Sequence, residues 1–277
     1  MSYRATSGLH LAAQDGDVAA LQRLLSEGAP VDLVAEIRHA VDDEQTPWTC
    51  TPLHVIFTPK DNPFVTGNIF RPGHMQCVKL LIAHGADPNA VDNCGRNTLK
   101  LAVETGVTSV IKTLIEAGAV VYESGAPSVG GTGGEWSILH ATMRSLGDFG
   151  EGDKGLEIIS LLCKAGASAD AEHTCYGTTL EYAVWTDHRR HWPFFFRLGL
   201  AHPRPPESMP NPGITRRVYA PRRAHPYLAK IEAAGSFRNY ERAHLRSLSA
   251  TFVPKFPRLP AEIVPLIVQF WAHVGDY

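Results

Sequence analysis

Three histidines stand at the same place in a recurring sequence pattern. His10, His54 and His140 each follow a leucine directly and a small polar residue by three positions. A neutral imidazole at this kind of position could act as a general base or a metal ligand. Nucleophilic catalysis would need a serine or cysteine held beside the base, and none recurs at matched positions. The fixed place of the histidines therefore indicates a structural role.

Two other groups of residues contain the types that bind metals or phosphate. Asp170, Glu172, His173 and Cys175 have metal-ligand side chains, but they fall in a turn region and no second cluster completes a tetrahedral set. The glycine-rich run at 130–134 lacks both a lysine and a preceding strand, so phosphate binding is not supported. We predict no metal, no cofactor and no enzymatic activity.

The five cysteines indicate the compartment. They occur at positions 50, 77, 94, 163 and 175, form no CxxC pair and leave one over in any full pairing. This pattern supports neither a disulfide framework nor a zinc finger, so a reducing compartment fits best. We expect a cytoplasmic protein, with the nucleus as the alternative.

Targeting and membrane segments are not evident. The first twenty residues lack the apolar core of a secretory signal. The longest apolar stretch, residues 263–274, is interrupted by Pro265, Gln269 and His273 and is too short to cross a bilayer. We therefore expect a soluble chain without a membrane span.

The histidines belong to an internal repeat with five units. Each unit has a small polar residue two positions before a leucine, and later a glycine followed by alanine or leucine. The spacing from leucine to glycine is 19 in the first, third and fifth units, and the shortest spacing from glycine to the next leucine is 14. Together these spacings give a basic period of 33 residues. The leucines are Leu9, Leu53, Leu99, Leu139 and Leu180, and the glycines are Gly28, Gly85, Gly118, Gly166 and Gly199.

Each mark of the repeat predicts part of a helix pair. The small polar residues can cap the first helix by accepting a hydrogen bond from its free N–H groups. Apolar residues at i, i+3 and i+4 before each glycine, such as Val78, Leu81 and Ile82, predict the buried face of a second helix. The glycine then ends that helix in the left-handed conformation. The capping residues are Ser7, Thr51, Asn97, Ser137 and Thr178.

Two short helices and a turn every 33 residues, with Thr51-Pro52-Leu53-His54 opening a first helix, resemble the ankyrin repeat. The resemblance spans about residues 6–200 and is best at 77–118. It implies an all-α ankyrin-repeat solenoid of about five helix pairs, whose inner helices and finger loops form a concave protein-binding surface. It implies no catalysis, so the predicted function is a protein-interaction scaffold.

Some positions depart from the family pattern. Lys100 and Glu181 stand where the family has the histidine that ties neighbouring loops together, so we expect the third and fifth units to be held less firmly there. The fifth unit carries Trp192, Phe195 and Phe196 in place of smaller aliphatic residues. It is typical of a last repeat, whose outer face must meet water or a cap.

Two long finger loops are candidates for partner binding. They lie near residues 34–47 and 122–136, and each ends at a tryptophan, Trp48 or Trp136. Tryptophan is enriched in binding hot spots, so both residues are predicted partner-binding anchors. The alternative is that both rings pack beneath their own loops.

The near-neutral total charge conceals two opposed segments. Residues 1–187 carry a balance of −11 and residues 188–246 a balance of +9. Arg189 and Arg190 open the basic segment and are predicted to bind a partner. We favour packing of this segment on the acidic repeats of the same chain. The alternative is polyanion binding by residues 189–246, although no nucleic-acid-binding fold is recognisable.

The domain boundaries follow from these features. We predict a repeat domain at 1–200, a linker at 201–224 that is rich in proline and arginine and therefore extended, and a small C-terminal helical module at 225–277.

The C-terminal tail has a second weak resemblance. A helix, then Leu259-Pro260, then apolar residues at 263, 266, 267 and 270, looks somewhat like a SOCS box or the opening of an F-box. Either would imply an adaptor that recruits ubiquitin-ligase components. The alternative is that the tail caps the last repeat. The residues predicted to recruit a partner are Leu259, Pro260, Ile263, Ile267 and Phe270.

Overall fold

Short helices in contacting pairs make up the first of two units into which the chain divides, residues 1–174 and 175–277. The computed structural model describes residues 7–37, 48–58, 70–121, 136–149, 154–173, 175–205, 212–260 and 262–267, with the backbone alone at 146–149 and 212–216. The described elements of the first unit are α1 (Gly8–Asp15), α2 (Val18–Ser26), β1 (Ala35–Ile37), β2 (Trp48–Cys50), α3 (Pro52–Val55), α4 (Pro72–Ala83), α5 (Thr98–Thr105), α6 (Thr108–Glu116), α7 (Ile138–Phe149), α8 (Lys154–Lys164) and β3 (Glu172–His173).

The helix pairs stack in two layers. First helices contact first helices, from α1 through α3 and α5 to α7, and second helices contact second helices, from α2 through α4 and α6 to α8. Leu21, Val78, Ile111 and Ile159 of the predicted stripes are fully buried between the layers. One further residue of each stripe is only half-buried: Leu24, Ile82, Ile115 and Cys163. One helix pair cannot bury its apolar face alone, so the stacking of neighbours supplies the core.

Four of the five predicted caps, Ser7, Asn97, Ser137 and Thr178, accept a hydrogen bond from the backbone N–H three residues later, whereas the Thr51 hydroxyl bonds the ring of His54. Asn97 accepts a hydrogen bond from the backbone N–H of Lys100, with an N–O distance of 2.9 Å. Gly28 and Gly85 end second helices with φ near +90°, a conformation that a Cβ would strain. β1 and β2 form an antiparallel hairpin in which Ala35 faces Cys50.

Buried histidines bind successive repeats together. His10 Nε2 lies 3.0 Å from the carbonyl oxygen of Cys50, and His54 Nε2 lies 3.2 Å from that of Arg96. Because a carbonyl only accepts, each Nε2 carries the proton and each Nδ1 accepts from the hydroxyl of the helix cap. The caps are Ser7 and Thr51, with distances of 2.6 and 2.7 Å to Nδ1. Each histidine thus joins the start of its own helix to the next repeat.

Two further side chains make equivalent contacts. His74, at the start of α4, places Nε2 3.0 Å from the carbonyl oxygen of Gln14 at the end of α1. Lys100 Nζ donates to the carbonyl oxygen of Trp136 in the following repeat, at 3.3 Å. The looser hold expected at Lys100 is therefore not observed, because a longer cationic side chain reaches the carbonyl of the next unit.

The second unit contains the fifth repeat and a set of helices that cover it. α9 and α10 form the helix pair, α11 contacts α9, and α13 contacts both α10 and α12. In the first unit those neighbouring places belong to the helices of the next repeat. The described elements are β4 (Gly177–Thr178), α9 (Thr179–Trp185), a 3₁₀ turn (Arg189–His191), α10 (Trp192–Arg197), α11 (Pro212–Arg223), α12 (Pro226–Ala233), α13 (Phe237–Phe252), a second 3₁₀ turn (Val253–Lys255) and a final helix at 263–267.

The helix α11 corrects the expected conformation of the linker. Residues 201–224 were predicted to be extended, but Pro212–Arg223 is helical. Pro212 stands at the first helical position, where no N–H is needed. Tyr219 is fully buried, and its ring lies 5.7 Å from that of Trp185. Tertiary packing thus outweighs the composition of the segment. The predicted domain boundaries at 200 and 224 stay predictions.

Glu181 holds the chain that leaves the fifth repeat. Its carboxylate is 2% exposed and accepts from the backbone N–H, Nε and Nη2 of Arg204 at 2.8–2.9 Å. It also accepts from the backbone N–H of Thr178. Burial alone would raise the pKa of Glu181, but these hydrogen bonds and the Arg204 charge hold it below its ordinary value. At this point the basic segment binds an acidic residue of the repeats, as predicted.

Acidification is expected to destabilise the first unit. Burial lowers the pKa of His10, His54 and His74 below the ordinary value of 6.5. Below that pH the unfolded chain takes up protons that the folded unit does not. The free energy of unfolding therefore decreases as the pH decreases. The loss is at most about 1.4 kcal/mol per histidine at one pH unit below 6.5. Circular dichroism should give a lower thermal midpoint at pH 5.5 than at pH 7.5.

Matched histidine variants identify the origin of this effect. His54→Gln should reduce the difference between the two midpoints because one buried titrating group is lost. His84→Gln should leave the difference unchanged, because His84 is exposed. Identical midpoints of the unmodified protein at the two pH values would contradict the prediction.

Loss of the Arg204 side chain is expected to destabilise the second unit. Arg204→Ala leaves the Glu181 carboxylate buried without its partner, which in a fully buried pair costs about 3–5 kcal/mol. Because the Arg204 side chain is 35% exposed, we expect a decrease of about 2–3 kcal/mol in urea unfolding. Arg217→Ala, at an exposed arginine of α11, should change stability by less than about 0.5 kcal/mol. Equal effects of the two substitutions would refute this role for Arg204.

Candidate interaction surfaces

Trp48 is buried at the start of β2. It is 1% exposed, and its Nε1 donates to the carboxylate of Asp92 at 2.8 Å. Arg96 donates to the same carboxylate at 2.8 Å, and its guanidinium carbon lies 5.7 Å from the centre of the Trp48 ring. Exposing the indole would leave a buried carboxylate short of a donor. The ring is buried against Asp92 and Arg96 of the following repeat, so it is not the exposed anchor that was predicted. Residues 38–47 of its own loop lie outside the described part of the chain, so packing beneath that loop stays a prediction.

Trp136 lies half-buried just before α7. Its ring centre is 4.6 Å from that of His173 and 6.3 Å from that of His140. The guanidinium carbon of Arg144 lies 5.1 Å from the centre of the same ring. The preceding finger, residues 122–135, is outside the described part of the chain. An anchor role for Trp136 stays a prediction.

Exposed aliphatic side chains occur in the turns of three successive repeats. We call Leu33, Val34, Val91 and Val120 the finger-edge row. Their exposed fractions range from 36% to 63%. Single exposed aliphatic residues are common, but several on adjacent turns are typical of a binding surface.

Hydrogen bonds hold these turns side by side. The backbone N–H of Asp87 donates to the carboxylate of Asp32 at 3.1 Å, which joins the first and second turns. Asn89 donates from its amide to the carbonyl oxygen of Gly118 at 3.0 Å and accepts from the N–H of Val120 at 2.7 Å. The finger-edge row is therefore carried on cross-linked turns.

The sequence contains a signal for part of this row. Val34 and Val91 each stand six residues after the glycine of their own unit, Gly28 and Gly85. An aliphatic residue at a turn position that repeats in register could have been singled out. Its exposure follows only from the packing of the turns.

The two arginines predicted to bind a partner lie in the second unit. Arg189 and Arg190 begin the 3₁₀ turn before α10, and both are exposed. Arg189 Nε donates to the Asp187 carboxylate at 2.8 Å. Partner binding by these arginines stays a prediction.

The predicted recruiting residues of the tail divide into exposed and packed positions. Leu259, Pro260 and Ile263 are exposed, and Ile267 is half-buried. Phe270 is outside the described residues.

The final helix turns a different side inward from the one expected. Val264 is buried, whereas Leu266, which the sequence placed on the apolar face, is 59% exposed. The helix begins at residue 263, so Pro265 lies in its first turn and breaks no helical hydrogen bond. The exposed leucine and isoleucine side chains of this region thus lack cover from the described residues of the second unit.

Reactive groups are scarce in the described residues. Burial raises the pKa of Cys77 to about 11 and that of Cys50 still further, so neither thiol ionises near neutral pH. No group of three or more His, Cys, Asp and Glu side chains in the described ranges is placed to hold a metal ion. None of the helices that the structure describes is long and apolar enough to span a membrane.

Comparison with known proteins identifies the repeats. Residues 9–124 match the family model for ankyrin repeats, in three copies. No curated protein matches the chain. The matched residues contain α1 to α6 with the ties made by His10 and His54. The family is typically non-enzymatic. This chain therefore contains ankyrin repeats in an all-α repeat fold, and such repeats are generally protein–protein interaction modules.

Proposed function

We propose that the protein is a non-enzymatic scaffold that binds a protein partner through the concave face and finger loops of its ankyrin repeats. The finger-edge row carries this proposal. Its four aliphatic side chains are exposed on turns that hydrogen bonds hold in place. A partner that covers them gains apolar burial without ordering the turns first.

The buried ties between units support the same function. His10, His54 and Lys100 each form a hydrogen bond to the following repeat, so the spacing of successive turns is set by the core. Binding loops on a rigid scaffold lose little conformational entropy when a partner docks.

The cytoplasm is the proposed location, with the nucleus as the alternative. Cys50 and Cys77 are buried thiols that take part in no disulfide. Such thiols fit a reducing compartment.

Substitution of the finger-edge row tests the scaffold function. In Val34→Ser/Val91→Ser the apolar contact is lost while both side chains stay exposed, so the fold should be unaffected. Proximity labelling in cells should lose a defined set of proteins relative to the unmodified chain. Leu198→Ser, at a leucine that is 43% exposed in the second unit, should retain that set. If the double variant labels the same proteins as the unmodified chain, the finger-edge row is not the binding surface.

A second candidate function is recruitment of ubiquitin-ligase components by the tail. The observation that favours it is the exposure of Leu259, Ile263 and Leu266 around a Leu-Pro helix start. A group of exposed apolar side chains is typical of an interaction surface.

Polar substitution in the tail tests the adaptor function. Leu259→Ser/Ile263→Ser should abolish co-purification of cullin-type proteins with the full-length chain, because it removes two of the exposed apolar contacts. Thr251→Ser, at an exposed position of α13, should retain them. Failure of the unmodified chain to recover any cullin-type protein would eliminate this candidate and leave the scaffold function intact.

A further inference from the structure

Three arginines form a stripe along α13 (Phe237–Phe252). Arg238, Arg242 and Arg246 recur every fourth residue and all are exposed. Four residues of helix advance by about 6 Å, so the guanidinium groups start from one face at regular intervals. We call these residues the arginine stripe.

The acidic groups near the stripe already have other partners. Glu241 on the same helix lies 2.9 Å from Nη2 of Arg197, and Glu232 on α12 lies 3.2 Å from Nη2 of Arg223. Among the described residues, no carboxylate forms a salt bridge with the stripe. Like charges four residues apart on a helix repel each other, and a bound anion would relieve that repulsion.

An apolar pocket adjoins the N-terminal end of the stripe. Its volume is about 430 Å³, and its wall includes the rings of Phe196 and Phe237, the side chain of Ile231, Arg238, and Glu232, whose carboxylate pairs with Arg223. The two rings stack with centres 5.3 Å apart. A pocket of this size holds a large apolar side chain. Arg238 belongs to both features, so the pocket and the stripe are continuous.

The residues beside the stripe favour a peptide over a nucleic acid. Single-stranded nucleic acids bind by stacking their bases on exposed aromatic rings. The aromatic residues of α13 near the stripe are Tyr240 and His244, which are half-buried and stacked on each other with ring centres 5.7 Å apart. Phe237 is buried against Phe196. The stripe therefore offers charge and hydrogen-bond donors without a stacking platform.

We propose that the pocket and the arginine stripe together bind an acidic peptide segment of a partner protein. An apolar residue of the peptide occupies the pocket, and its carboxylates pair with Arg238, Arg242 and Arg246. Alternate residues of an extended peptide are about 6.6 Å apart, close to the spacing along the stripe. This surface shares no residue with the finger-edge row, so it gives the protein a second binding site.

A labelled peptide tests the proposal on the full-length protein. The probe is fluorescein-labelled Leu-Ser-Glu-Ser-Glu-Ser-Glu, and fluorescence anisotropy reports its binding. We expect saturable binding that weakens as the salt concentration rises, since exposed charge pairs are screened. Replacing every glutamate of the probe by glutamine should abolish it.

Variants of the stripe separate specific pairing from general basicity. Arg242→Gln/Arg246→Gln should weaken binding by about two- to thirty-fold, as expected for the loss of two exposed charge pairs. Arg242→Lys/Arg246→Lys keeps the charge and should retain most of the affinity. Arg258→Gln, at an exposed arginine outside α13, should bind like the unmodified protein. A loss in Arg258→Gln as large as in the stripe variant would overturn the proposal.

The pocket is tested by filling it. Ala201 lines the pocket and is itself exposed, so Ala201→Phe should occupy the space without disturbing the core. The variant should bind the leucine probe less tightly and should bind a probe with serine in place of leucine as the unmodified protein does. Absence of any probe binding, or tighter stripe-dependent binding of a single-stranded RNA oligonucleotide, would refute an acidic peptide as the occupant.

Discussion

The structure of the first four repeats depends on a buried contact that crosses from one repeat to the next. A helix pair of this size cannot bury enough apolar surface alone, so its stability comes from its neighbours. His10 and His54 satisfy the cap of their own helix with one ring nitrogen and donate to the next unit with the other. The imidazole must be neutral to do both, and burial lowers its pKa accordingly. The contact thus couples the stacking of units to the protonation state of a few side chains.

Other residue types can make the same connection when the geometry allows it. Lys100 replaces histidine with a longer donor that reaches the carbonyl of Trp136. Glu181 reverses the polarity, because the fifth repeat is followed by Arg204, which donates to it. Helices α11 and α13 then contact the fifth helix pair where another repeat would otherwise pack. The second unit therefore ends its repeat with an ion pair and covering helices.

This core leaves two chemically different kinds of surface. The first unit exposes aliphatic side chains on turns whose positions are set by Asp32, Asn89 and the ties beneath them. The second unit exposes arginines on α13, and the acidic side chains near them, Glu232 and Glu241, pair with other arginines. Apolar contacts contribute binding free energy through the surface area that they bury. An exposed row of cationic side chains instead orients a partner and discriminates among partners. A protein that bound partners through both surfaces, as proposed, would distinguish two kinds of protein segment.

The helix pairs, their stripes, their caps and the period were predictable from the sequence because each is a local pattern with a short-range physical cause. The glycine at Gly28 or Gly85 and the cap at Asn97 need only their own helix to act. The conformation of 212–223, the burial of Trp48 and the exposure of Val34 and Leu266 were not predictable in this way. Each depends on residues distant in sequence, such as Trp185 beside Tyr219 and Asp92 beside Trp48. The sequence by itself thus determined the repeat and its class, since helix formation is local. Tertiary structure decided which side chains remain exposed to a partner, since burial and charge pairing are settled only when distant segments pack together.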